Sequence, residues 1–105
     1  IKIAVVRGIF DTDGGIYLQK KYGKLYPRLE IKTISNLLGE QLVTIFNEVG
    51  LRATKYLESF INERKLPSYA IVIRGDKMLH EFMEIVKPAN PKHIAKYFYY
   101  KKSFK

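Results

Sequence analysis

Apolar residues dominate the first ten positions, Ile1 to Phe10, with Ile, Ala, Val and Phe on more than one face. Such a stretch predicts a buried helix, and its β-branched content leaves a short strand open as the alternative. Asp11, Thr12, Asp13, Gly14 and Gly15 are expected to end it, because glycine supplies the left-handed conformations of a sharp turn. Ile16 to Lys21 reads as a strand, and Tyr22 to Pro27, with Gly23 and Pro27, as a turn. From Arg28 to Ile34 the pattern alternates. Leu29, Ile31 and Thr33 take one face and Arg28, Glu30 and Lys32 the other, the period of a half-buried strand. The two strands form a hairpin.

A helical period follows. Leu38, Leu42, Ile45, Phe46 and Val49 share one face of a helix over Leu37 to Val49, capped by Ser35 or Asn36 and stopped by Gly50, with Gly39 as its weak point. Arg52 to Ile61 is a third strand, Asn62 to Pro67 a basic loop, and Tyr69 to Arg74, nearly all β-formers, a fourth strand. Lys77 to Val86 is amphipathic through Met78, Leu79, Phe82, Ile85 and Val86, and Pro88 breaks it. Pro91 suits the first turn of a last helix over Lys92 to Tyr100. The order is helix, two strands, helix, two strands, helix, helix. It predicts an α+β fold in which helices cover one face of an antiparallel sheet and leave the other polar and basic.

Composition sharpens this picture in three ways. The length of 105 residues suits a single domain over residues 1–105, and 47% hydrophobic residues suffice for one core. Because Ile1 is not an initiator Met, the natural N-terminus is expected to lie elsewhere, with a missing N-terminal segment. The net charge of +9 favours a polyanionic partner such as DNA, RNA or an acidic membrane surface. Without cysteine, disulfides and thiolate zinc sites are excluded. No apolar run approaches the roughly 20 residues that span a bilayer, and no signal peptide is visible, so a cytoplasmic or organellar location is expected.

The stretch Val6-Arg7-Gly8-Ile9-Phe10-Asp11-Thr12-Asp13-Gly14 resembles the motif that names the LAGLIDADG homing endonucleases. Gly8, Asp11, Asp13 and Gly14 match its identities, Ile9 and Phe10 its apolar pair, and Val6 its leading Leu. Arg7 and Thr12 depart from its two alanines. The αββαββα order that follows extends the resemblance over nearly the whole chain. In isolation Asp-Thr-Asp-Gly-Gly is also a simple polar helix stop. An EF-hand loop needs a third acidic or amide position before its glycine and a Glu at the twelfth, and neither is present.

The resemblance implies a metal-dependent DNA endonuclease that cuts both strands of a long double-stranded site, encoded in an intron or excised from an intein. With one motif per chain it implies a homodimer paired through the motif helix, with Gly8, Val5 and Ile9 at the interface, and a nearly palindromic site. A half of a two-motif protein would have an asymmetric site instead. Asp13 matches the metal-binding carboxylate and the Thr12 carbonyl a second ligand, for Mg2+ or another divalent cation. Asp11 is assigned to the helix end. The family places a basic residue at the start of the last helix, near the scissile phosphate. Here His93 takes that position, as a catalytic acid or base, with Lys92 or Lys96 as substitutes.

Strand alternation supplies the DNA-facing candidates: Tyr17, Gln19 and Lys21 in the first strand, and Arg28, Glu30 and Lys32 in the second. In the third strand Arg52 and Lys55 fall on opposite faces, so at most one of them reads bases, and Lys55 is taken. Arg64 and Lys65 are placed on phosphates. Tyr97 to Lys102 reads as core plus a basic tail. Two rivals remain. One is a LAGLIDADG-type module that binds DNA or RNA without cleavage, as a regulator or maturase. The other is a basic, ribosome-associated α+β protein.

Overall fold

The computed structural model describes residues 2–61 and 66–102. Its elements are α1 (Lys2–Asp13), β1 (Gly14–Lys21), β2 (Lys24–Thr33), α2 (Asn36–Glu48), β3 (Ala53–Ile61), β4 (Leu66–Arg74), α3 (Asp76–Ile85) and α4 (Pro91–Lys102). The strands form one antiparallel sheet in the order β1-β2-β4-β3. This is the α+β architecture that the hydrophobic pattern predicts.

The helices lie on one face. Ile16, Leu29, Ile31, Ile71 and Ile73 point from the sheet into the core, where they meet Val6 and Phe10 of α1, Leu42 and Phe46 of α2, Leu79 and Phe82 of α3, and Tyr100 of α4. Phe82 joins two of these layers, with ring centroids 4.7 Å from Phe10 and 5.9 Å from Phe46.

Local signals set the ends of the elements. Ser35, rather than Asn36, caps α2: its side chain accepts from Leu38 N at 3.1 Å. Gly50, at φ 87°, closes the same helix, with Leu51 N donating to Phe46 O and Gly50 N to Asn47 O. Asn90 caps α4 by accepting from Lys92 N at 2.9 Å, and Pro91 occupies its first position.

Three boundaries differ from the sequence expectation by three residues or more. First, α1 continues through Asp13, and β1 begins at Gly14 without an intervening turn. A side chain at Gly14 would collide with the ring and backbone of Phe10, so this glycine serves a close approach. Secondly, the turn after β1 is only Tyr22-Gly23, with φ of 51° and 78°, and Lys24 to Pro27 belong to β2. Pro27 is tolerated there because β2 has already outrun β4, whose pairing starts at Arg28↔Arg74. The Pro27 carbonyl on that side takes Gly75 N instead, at 3.3 Å. Thirdly, β4 starts at Leu66 rather than Tyr69.

Candidate nucleic-acid interface

The face turned away from the helices is set by the strand registers. Tyr17 pairs with Arg28, Gln19 with Tyr26, Lys21 with Lys24, and Gly15 with Glu30. Arg28 also pairs with Arg74, Glu30 with Val72 and Lys32 with Ala70, while Thr54 and Tyr56 of β3 lie opposite Val72 and Ala70. Tyr17, Gln19, Lys21, Arg28, Glu30 and Lys32 therefore share one face. Long side chains carpet it, so that even Val72 and Ala70 at its centre are buried.

Aromatic rings hold two arginines on this surface. The Arg28 guanidinium lies 5.4 Å from the Tyr17 ring centroid, and that of Arg74 lies 5.5 Å from the Tyr56 centroid. Glu30 is only 7% exposed. Its Oε2 lies 3.3 Å from Arg28 Nε and its Oε1 3.6 Å from Lys32 Nζ. The Arg28 contact is an ion pair without hydrogen-bond geometry, since Nε is buried and finds no acceptor. Glu30 stands on the expected face, then, but its carboxylate is held between two cations of its own strand.

Lys55 is on the opposite face, which corrects its expected role. It pairs with Ile71, a core residue, and so points toward the helices. There its Nζ donates to Asn36 Oδ1 and to Glu40 Oε1, the latter at 3.2 Å, and sits 5.3 Å from the Tyr69 ring centroid. Lys55 clamps the start of α2 to the sheet. Gly39 leaves the space for its stem, because a Cβ at that position would lie 3.2 Å from Lys55 Cδ. Arg64 and Lys65 lie outside the described residues.

At one end of the sheet, α1 delivers Asp11, Thr12 and Asp13 to the start of β1. Asp11 is structural, as the sequence reading assigned it. Its carboxylate accepts from Ala89 N and Asn90 N at 3.0–3.1 Å, and its carbonyl accepts from Asn90 Nδ2 at 2.9 Å. These bonds fasten the end of α1 to the start of α4. Asp13 is exposed and has no hydrogen-bond or ion-pair partner among the described residues. The Thr12 hydroxyl donates to Gly8 O at 2.9 Å, and its carbonyl belongs to the last turn, where carbonyls lack helical partners.

The first turn of α4 divides two expectations. Lys92 is exposed beside the cap. His93 is 6% exposed, with its ring centroid 4.5 Å from that of Phe10, and its Nε2 donates to Phe10 O at 3.1 Å. A carbonyl only accepts, so this proton is committed to the backbone. His93 is thus an internal tie between α4 and α1 rather than a group open to a phosphate, which corrects its expected catalytic place.

Along α1 the outward side is small and bare. Ala4, Val5, Gly8 and Thr12 are exposed, Val5 at 56%, and a Cβ at Gly8 would meet nothing within 4 Å. Ile9 is half-buried and leans on the chain's own core.

A family model described as a LAGLIDADG-like domain matches residues 1–87. The chain belongs to the LAGLIDADG family. Its fold is similar to that of the LAGLIDADG homing endonuclease I-GzeII, solved in complex with its DNA target, with a TM-score of 0.64 at 21% identity. The likeness covers 97% of this chain and 34% of that one, so the chain spans about a third of the endonuclease's length. No curated protein matches the sequence.

The LAGLIDADG motif, residues 6–14, straddles the end of α1 and the start of β1. The oxygen donors there suit a hard divalent cation, which keeps several waters and takes few carboxylates. The negative end of the helix dipole adds to the attraction. No cluster of three or more His, Cys, Asp or Glu side chains that could hold a metal occurs among the described residues.

Sequence reasoning missed Lys24, Tyr26, Tyr56 and Arg74 on the open face. Reading Pro27 as part of a turn hid the first two. The alternation that places Ile71 and Ile73 in the core also places Arg74 with Ala70 and Val72, so Arg74 was within reach of the same argument.

Proposed function

We propose that this LAGLIDADG chain is a site-specific, divalent-metal-dependent DNA endonuclease that works as a homodimer. The observation that carries the reading is Asp13. It is an exposed carboxylate without a partner among the described residues, at the end of a helix whose outward side is bare, beside a basic sheet face. Duplex DNA lies against the open face, where Lys21, Lys24, Arg28, Lys32 and Arg74 outnumber the single carboxylate of Glu30 among the described side chains. Tyr17 and Gln19 add polar contacts to base edges. Two copies of α1 pair through Val5 and Gly8, with the edge of Ile9, and bring both Asp13 carboxylates to a shared centre. That the solved relative is a homing endonuclease on its DNA target supports this assignment.

Asp13 and the Thr12 carbonyl would hold Mg2+ together with waters and DNA phosphates. When bound, the metal supplies an activated water and neutralises charge on the leaving oxygen. The chain's own residues position the duplex, and Lys92 offers a cation beside the phosphate undergoing cleavage. His93 keeps α4 seated on α1, so Lys92 stays in reach.

The test is cleavage of a randomised plasmid library by the purified chain with Mg2+ and with EDTA. Site-specific double-strand cuts that require Mg2+ are expected. Sequence-selective binding without cuts in either condition would replace the enzyme by a binding module.

A further inference from the structure

Glu30 was expected to contact DNA, yet it is buried between two cations, and its neighbours explain why. Gly15 faces Glu30 across the β1–β2 ladder, and Tyr17 faces Arg28. On the same strand and face, the Tyr17 ring folds back over Gly15. A Cβ at Gly15 would lie 3.1 Å from Tyr17 Cε2, Cζ and Oη. Arg28 then stacks on that ring with its guanidinium carbon 5.4 Å from the centroid, and Glu30 Oε2 approaches its Nε to 3.3 Å. Lys32 closes the far side of the carboxylate, 3.6 Å from Oε1. The base of the Arg28 side chain is thereby fixed from two directions. Its terminal nitrogens make no hydrogen bond among the described residues, and the side chain remains 38% exposed.

We propose that Gly15, Tyr17 and Glu30 form a preset mount for Arg28, and that Arg28 reads a guanine. This rests on the DNA-binding reading above and adds one base to it. A guanidinium presents a planar fork that matches O6 and N7 of guanine in the major groove. A loose arginine loses rotamer freedom when it binds, whereas one already stacked and ion-paired loses less, so the mount converts order into selectivity. Glu30 is a positioning residue here. Its carboxylate is too deeply buried to take a proton donor from a cytosine, and its charge orients the guanidinium. Gly15 is the seat of the mount, because a Cβ there would press on the Tyr17 ring at 3.1 Å and make it give by a few tenths of an ångström.

The place of the guanine also follows. Tyr17 stands four residues beyond Asp13, about 13 Å at about 3.3 Å per residue of strand. With about 3.4 Å per base pair, Arg28 reads about four base pairs outward from the Asp13 position. The Tyr22-Gly23 hairpin tip, with Lys21 and Lys24 beside it, reaches farther out.

The experiment selects bound duplexes from a randomised library, without divalent metal, using the full chain. It compares wild type with Arg28→Lys, Glu30→Gln, Gly15→Ala and the hairpin-tip control Lys21→Ala, each first checked for a native circular dichroism spectrum. Wild type is expected to demand a G·C pair at one inner position of each half-site. Arg28→Lys should relax that position about tenfold. Glu30→Gln and Gly15→Ala should relax the same position several-fold and leave the other positions unchanged, while Lys21→Ala should leave it intact. An unaltered guanine preference in Glu30→Gln and Gly15→Ala, or an equal loss at every position, would overturn the mount. Wild-type binding with no guanine preference at an inner position would overturn the assignment to Arg28 and leave DNA binding standing. No binding of any duplex would remove the DNA reading itself, and the mount with it.

Discussion

Asp11, Asp13 and His93 show how far single residues could be read. The two aspartates stand two residues apart, so they point to roughly opposite sides of the helix. Asp11 turns inward to Ala89 and Asn90, whereas Asp13 turns out with no partner among the described residues. Their places in the motif were enough to assign Asp11 to the helix end, and its bonds agree. For His93 the spacing was not enough, because the face of α4 that meets α1 depends on the Asn90 cap and on the Asp11 bonds, which no local pattern reveals. The buried tie makes a prediction. His93→Phe keeps the ring contact with Phe10 but leaves the Phe10 carbonyl without its donor, which costs about 1–3 kcal/mol of stability. Chemical denaturation should show that loss. Cleavage at a temperature where the variant is folded should remain, whereas a true catalytic base would be missed at every temperature.

The elements were legible wherever the period was clean. The alternation over β2, the five-residue apolar stripe of α2 and the β-formers of β4 each named their element correctly. Pro27 concealed the start of β2, since a proline tolerated by an outrunning strand looks like a turn. Lys55 was misassigned because a lysine in a strand reads as solvent-facing, and only the register with Ile71 shows that it lies under α2. At the α1 surface, Gly8→Leu adds bulk where the monomer has open space. The variant should keep its helical spectrum and lose the dimer, as read by sedimentation. A dimer of unchanged mass would place the interface elsewhere.

Between α3 and α4 a different device operates. The Tyr100 hydroxyl donates to Asp76 Oδ1 at 2.8 Å, His80 Nε2 lies 3.1 Å from the same oxygen, and His80 Nδ1 meets the Tyr97 hydroxyl at 2.6 Å. Burial, and then the bond to Asp76, raise the Tyr100 phenol well above its ordinary value of 10.0. Burial first, then the charges of Glu84 and Asp76, raise that of Tyr97. The native state thus favours the protonated phenols. Their contribution is complete below the ordinary phenol value and is lost as pH climbs above it through the folded values. Tyr100→Phe should cost about 1 kcal/mol at neutral pH and flatten the alkaline decline of the melting temperature. An unchanged alkaline slope would remove Tyr100 from the account.

At the scale of the whole molecule, a net charge of +9 meets a sheet whose cations gather on the face without helices. No described helix is long and apolar enough to cross a membrane. Charge of this kind makes affinity for DNA fall linearly in log–log terms with salt. Lys21→Ala with Lys24→Ala should reduce that slope by about one per lysine removed in each subunit. A slope that does not change would show that the hairpin tip does not reach the phosphates. The central claim is tested most directly by comparing wild type with Asp13→Asn in Mg2+ on a randomised plasmid library, with duplex binding measured alongside. The account predicts site-specific double-strand cuts by wild type, at least about 100-fold fewer from Asp13→Asn, and nearly equal DNA binding by the two. Equal cutting by both proteins would contradict it.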